Sequence, residues 1–320
     1  MNALMHGLTA LAAWAAQAAS ALRAWLGIST AAAGLLLGAG GASSVGSMGN
    51  ISGMFDLLAL PAVQRSLLAL CVASAGLPIV GVLIIGLEVA TVRFAVMHLA
   101  LFGIALDLWL GIEPTFMGLL VATLGTGLLA PLAMRPAGLS GPMGFLMTVA
   151  IAVALLVLSL SGVNATGAFE LLWGSILATR VLDVILLGGV SLLVLGLFLC
   201  YRCQIALVLF DREMALVSGI AVGRIVLLML LVIAAAIASS IRLTGALLAD
   251  SLTLLPALAA RNLTSSFASM TACAIALGLL GNVGGFLLAL LLDQPPGPIL
   301  VLTSGGITLL SFLFPLFKRV

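Results

Sequence analysis

The chain has 320 residues, 63% hydrophobic and 7% charged, with 12 Lys+Arg against 10 Asp+Glu. A water-soluble domain carries about a quarter charged residues to wet its surface, so this composition excludes a soluble enzyme, a nucleic-acid binder and a disordered chain. Aromatic content of 6% and a single tyrosine, Tyr201, argue equally against an outer-membrane barrel, which needs aromatic girdles.

The reading that remains is an all-α, polytopic helical membrane protein. Residues 1–53 differ in kind from the rest: an Ala/Gly-rich N-terminal extension with Trp14, Trp25, His6 and one basic residue, Arg23. Positions 2–7 hold no Lys or Arg, so a secretory signal with a basic leader is not expected. An extra membrane helix and a surface-lying helix near residues 7–27 both fit, followed by a Gly/Ser linker over 38–53. Residues 54–320 form the transmembrane domain. At about 20 residues per span, the apolar runs place spans near 66–87, 91–110, 114–134, 143–162, 183–201, 223–241, 244–261, 266–292 and 297–317. Turn signals separate them at Gly111 to Pro114, Pro136 to Gly138 and Gln294 to Pro298. The stretch from Gly162 to Asp183 is less apolar and reads as lying along one membrane surface.

Alternating these spans puts Arg93, Arg135, Arg202, Arg212, Arg224, Arg261, Lys318 and Arg319 on one side, which is therefore cytoplasmic. The other side gets only Arg65, Arg180 and Arg242, and collects Asp56, Glu113, Glu170, Asp183 and Asp293. Cys71 and Cys273 sit inside apolar runs as small hydrophobes. Cys200 and Cys203 form a C-x-x-C with no second pair or nearby His, and a zinc site needs four ligands.

Lys318 is the only lysine. A phosphate-binding P-loop needs one after its Gly-rich turn, so ATP-driven transport would require an ATPase on another subunit. Its docking place would be the longest charged cytoplasmic loop, Arg202 to Arg224; an ordinary solvated loop is the alternative.

That loop contains Phe210, Asp211, Glu213, Ala215 and Gly219 in the order F-D-x-E-x-A-x-x-x-G. The pattern resembles the coupling loop of metal-ion (zinc, manganese, iron) ABC transporter permeases. Three further segments fit in order: Leu171 to Leu177 (LLWGSIL), Gly245 to Ala257 (GALLADSLTLLPA) with a broken helix expected at Pro256, and Pro295 to Leu302 (PPGPILVL). The resemblance covers about residues 60–317 and implies a type II importer architecture. It also implies a homodimer, a cytoplasmic ATP-binding subunit, an extracytoplasmic metal-binding protein and residence in the inner (plasma) membrane. No cofactor is expected on this chain; the divalent metal is substrate, and ATP belongs to the partner subunit. An early span of the family often carries G-D-A-x-S-H-A-x-L-P-G. Here His98 and Gly103 match, but Phe94 holds the Asp position and Phe102 the proline position.

Ionisable groups inside spans are costly and face a cavity or a partner. His98 is the candidate metal ligand; a structural histidine is the alternative. Asp107 lies nine residues on, half a turn round the helix, near the outer end of its span, which suggests the mouth of a pathway. Asp250 precedes Pro256 by six residues and either faces the pathway or holds two helices together. Met97 reads as packing, and Gly278, Gly281, Gly284 and Gly285 as a close helix approach. The reading is a membrane subunit of an ATP-driven divalent metal importer, zinc first, manganese or ferrous iron next, with no catalytic residues of its own. An ABC permease for a metal chelate or vitamin, an ion-coupled secondary transporter and a membrane scaffold stay open as alternatives.

Overall fold

A computed structural model of the protein describes residue 58 and residues 60–111, 116–131, 140–161, 176 and 179–317. The N-terminal extension lies outside the described residues, as does nearly all of the segment 162–178. The described elements are helices: α1 (Pro61–Leu87), α2 (Ala90–Leu110), α3 (Phe116–Leu129), α4 (Ser140–Leu160), α5 (Val181–Phe210), α6 (Arg212–Val217), α7 (Val222–Leu263), α8 (Phe267–Leu292) and α9 (Pro296–Phe317). In lipid each backbone N–H and C=O must be satisfied within its own segment, which is why such uniformly apolar runs form helices. Pro61 opens α1 where its missing N–H is no loss. Ser266 and Ser269 cap α8 reciprocally, and left-handed Glu88, Gly111 and Asp293 close α1, α2 and α8.

Seven described helices are long and apolar enough to cross a membrane, and Phe116–Leu128 is a shorter apolar one. The seventh expected span, 244–261, is the second part of α7. There the expectation of a break at Pro256 is corrected: the backbone leaves helical geometry at Gly245, with φ 73° and ψ 170°. That conformation is reserved almost entirely to glycine. Pro256 removes one backbone hydrogen bond yet keeps a helical φ, which its ring allows.

Gly245 reverses the chain. The first arm of α7 starts beside α6. The second arm ends at Leu263, and four residues later the Phe267 ring meets those of Phe198 and Phe210 of α5, back at the α6 end. The second arm then runs alongside α9: Leu248 lies near Gly297, the Thr308 hydroxyl donates to the Leu255 carbonyl at 3.0 Å, and the Asn262 amide donates to the Ser311 hydroxyl at 3.1 Å.

The centre of the bundle is α1 packed on α7, α5 and α8, while α2 packs on α3 and α4. Leu77, Ile79 and Val80 of α1 are fully buried, as are Met229, Leu230 and Ile233 of α7. Gly81 sits directly against the second arm: a Cβ there would overlap the carbonyl oxygen of Thr253. Buried polar links tie α1 to α8: the Asn282 amide donates to the Ser74 hydroxyl at 2.8 Å, and that hydroxyl lies 3.4 Å from the Gly278 carbonyl. Large exposed hydrophobics on α3, α4, α5 and α9, such as Leu128, Leu160, Leu192 and Leu309, form the surface suited to lipid.

Candidate functional site

Two regions carry the polar residues singled out above. The first lies between the start of α2 and the start of α7's second arm. Arg93, in the first turn of α2, reaches Asp250 with Nη1 3.0 Å from Oδ1; the side chains are 8% and 32% exposed. Asp250 stands five residues past Gly245, so the reversal brings its carboxylate to α2. The guanidinium also lies over the neighbouring Phe94 ring, 4.4 Å from its centroid, a favourable placement for a weakly hydrated cation. The contact is a charge contact without hydrogen-bond alignment, and the buried Arg93 Nε makes no hydrogen bond. This is not the bidentate fork that gives an Arg–carboxylate pair its strength.

His98 lies one turn beyond Phe94. Its Nδ1 is 2.7 Å from the Phe94 carbonyl oxygen, which can only accept, so Nδ1 carries the proton and Nε2 keeps its lone pair. The ring is half-buried. Asp107 is fully buried within the chain and so does not lie at its surface: small and apolar neighbours such as Gly103, Ile104 and Ala105 let α2 sink into its partners there. Among the described residues no group of three or more His, Cys, Asp or Glu could hold a metal ion. The four cysteines are free, with Cys200 and Cys203 exposed on α5.

Arg93 is the residue that sequence reasoning missed. It was counted only with the basic residues of one membrane side, yet it is buried and paired. The usable signal was its place three residues inside a helix, with an acidic residue in another span to neutralise it.

The second region is the expected coupling loop, and the structure redraws it. The segment from Arg202 to Arg224 is not a loop: α5 continues to Phe210, and α6 follows at once. Asp211 is the N-cap of α6, its carboxylate accepting from the backbone N–H of Glu213 at 3.0 Å and of Met214 at 2.9 Å. Glu213 sits in the first turn, where a negative charge suits the helix dipole. Ala215 is fully buried, holding α6 down onto the bundle, and its carbonyl accepts from the Ile220 N–H at 3.0 Å. Gly219 has φ 77°, which turns the chain toward α7. Asp211, Glu213, Ala215 and Gly219 thus each have a local physical reason. What they leave outward is apolar: Phe210, Met214, Leu216 and Val217 are exposed, Val217 to 90%.

Comparison with known proteins agrees with this architecture. The chain is 26% identical over 272 residues to the high-affinity zinc uptake system membrane protein ZnuB of Haemophilus influenzae, covering 83% of this chain and 99% of that protein. It is 25% identical to the manganese transport system membrane protein MntC of Halalkalibacterium halodurans, covering 83% and 92%. The fold is also that of PsaBC from Streptococcus pneumoniae, solved in complex with Fab, with a TM-score of 0.72 at 22% identity over 82% of this chain and 95% of that one. The family resemblance read from the motifs is borne out: matched over residues 59–315 by the ABC 3 transport family, the chain belongs to it.

Proposed function

We propose that this chain is the membrane subunit of an ATP-driven importer for a divalent transition-metal ion, zinc first and manganese or ferrous iron next. The observation that carries it is α6, a capped six-residue helix held at one end of the bundle with an apolar outer face. A helix so short has no stability of its own. It is held by Asp211, Ala215 and Gly219, and Phe210, Met214 and Val217 remain for a partner. That partner is the cytoplasmic ATPase subunit, and ATP binding and hydrolysis there would move α6 and the bundle between outward- and inward-open states. Two copies of the chain would enclose one pathway, with an extracytoplasmic binding protein delivering metal. Relatives named for zinc and manganese transport support the substrate class.

His98 and Asp250 line the pathway in this reading, His98 through its Nε2 lone pair and Asp250 through its part-exposed carboxylate. Asp107, near the outer end of α2, stands nearest the pathway's mouth in this reading. Transport requires that the metal be passed along and not trapped. Phe94 in place of the family's Asp keeps a permease for a metal chelate as the second reading. Family membership sets aside the ion-coupled secondary transporter and the scaffold.

Uptake of zinc, manganese and a metal chelate by the reconstituted complex tests the substrate; chelate uptake without free-ion uptake would decide for the second reading. His98→Ala is expected to raise the half-saturating metal concentration about tenfold, the weight of one lost polar contact, with ATPase assembly intact. Unchanged uptake at limiting metal would make His98 structural. Asp250→Asn keeps the volume and removes the charge, so uptake per assembled complex should fall most at low metal. Normal uptake at every concentration would remove Asp250 from the pathway.

A further inference from the structure

We infer that Arg93 is a tethered counter-ion that occupies Asp250 when no metal is present, and that an incoming divalent cation must displace it. The inference rests on the reading that Asp250 lines the metal pathway. Arg93 would then be a specificity-determining residue, setting how strongly a cation must bind to take the carboxylate.

Four observations lead there. The pair is uneven: Arg93 is almost wholly buried, while Asp250 keeps about a third of its surface open. A cation can therefore approach the carboxylate from the side away from the guanidinium. The contact is also weak for its type, with one nitrogen at 3.0 Å from one oxygen and no hydrogen-bond alignment. A pair built as a permanent clamp in low dielectric would need good geometry and further hydrogen bonds to offset desolvation of both charges. Third, the displaced guanidinium has somewhere to remain, because the Phe94 ring already lies 4.4 Å from it. Phe94 and Arg93 are adjacent, so no backbone movement is needed. Fourth, the carboxylate sits five residues beyond Gly245, where the chain reverses, so release of Arg93 removes the charge link between the second arm and α2 while their apolar packing stays.

The arrangement has a chemical consequence. At equal distance a doubly charged ion gains twice the Coulomb attraction of a guanidinium. A monovalent cation gains no more than Arg93 itself, and does not have the advantage of being tethered. The built-in cation thus keeps Asp250 neutralised against monovalent ions and yields it to a divalent one.

The test uses the complete complex of permease, ATPase and binding protein in proteoliposomes, with zinc ions and, separately, manganese ions as probes. If Arg93 holds Asp250 about nine-tenths of the time, removing it raises apparent affinity about tenfold. Arg93→Gln is therefore expected to lower the half-saturating metal concentration by about that factor. Arg93→Lys, which keeps a cation, should lie nearer the parent than Arg93→Gln. The double variant Arg93→Gln with Asp250→Asn should match Asp250→Asn alone, because no carboxylate is left to compete for. An unchanged or raised half-saturating concentration in Arg93→Gln would overturn the inference. Failure of that variant to assemble would overturn it too, by making the pair a structural clamp. Normal uptake by Asp250→Asn would instead defeat the underlying pathway reading, whatever Arg93→Gln does.

Discussion

Ala215→Trp is expected to abolish metal uptake, by about a hundredfold or more, in a permease whose spans remain folded. Ala215 is fully buried under α6, and an indole cannot fit where a methyl group fills the space, so α6 must lift from the bundle. The damage stays local because α6 is a separate six-residue helix between Asp211 and Ser218, and overpacking costs about 1–3 kcal/mol, small beside the burial holding α1 to α7. Glu213→Lys tests the same surface without steric change, since it reverses one exposed charge in the first turn. Both variants should keep the parent's thermal unfolding in detergent while uncoupling ATP hydrolysis from uptake in proteoliposomes. Fully coupled transport in Ala215→Trp would show that α6 does not carry the ATPase contact.

Gly81→Ala is expected to remove most of the folded permease. The new Cβ would overlap the Thr253 carbonyl oxygen, a backbone atom that cannot rotate aside, so α1 and the second arm of α7 would have to separate. Because α1 lies at the centre of the bundle, the separation propagates to α5 and α8, and the cost should exceed about 3 kcal/mol, the upper end for ordinary overpacking. Gly144→Ala is the control: its Cβ meets nothing within 4 Å, and alanine favours a helix interior over glycine by about 1 kcal/mol. Thermal unfolding of the two purified variants should diverge in opposite directions. Equal stability would mean that the two helices do not pack at Gly81.

The sequence reveals helix placement well because span formation is set by local hydropathy. The expected segments near 66–87 and 91–110 return as α1 and α2 with shifts of a few residues. Interruptions are harder to read. Pro256 looks like the breaker because proline lacks an N–H, yet a missing donor only weakens a helix, whereas the φ 73° of Gly245 redirects it. The polar segment after Tyr201 reads as a loop because its charge density is high, but helical propensity and the Asp211 cap continue the helix and then restart it. Among the candidate site residues, the F-D-x-E-x-A pattern is legible as a short-range motif, though its capped helix is seen only in the structure. The Arg93–Asp250 pair was not, because its partners are remote in sequence and meet only through the reversal at Gly245. The full burial of Asp107 is hidden for the same reason: span depth is visible in one dimension, but packing between helices is not.

The reversal at Gly245 also bears on how the chain enters the bilayer during synthesis. The first arm, Val222–Ile241, has a mean hydropathy of 2.5 and qualifies as a span alone. The second arm, 246–263, carries Asp250 and Arg261 and is not among the helices that do. A carboxylate inside an isolated segment opposes its partition, by up to about 2.5 to 3.5 kcal/mol at the helix centre and less toward the end where Asp250 stands. Joined through a single residue, the two arms leave the ribosome as one helical hairpin, and the apolar member can carry the polar one across. Asp250 is then neutralised only after α2, already inserted, comes to lie beside it. Order of synthesis thus favours the pairing, because the Arg93 side is in place before its carboxylate emerges.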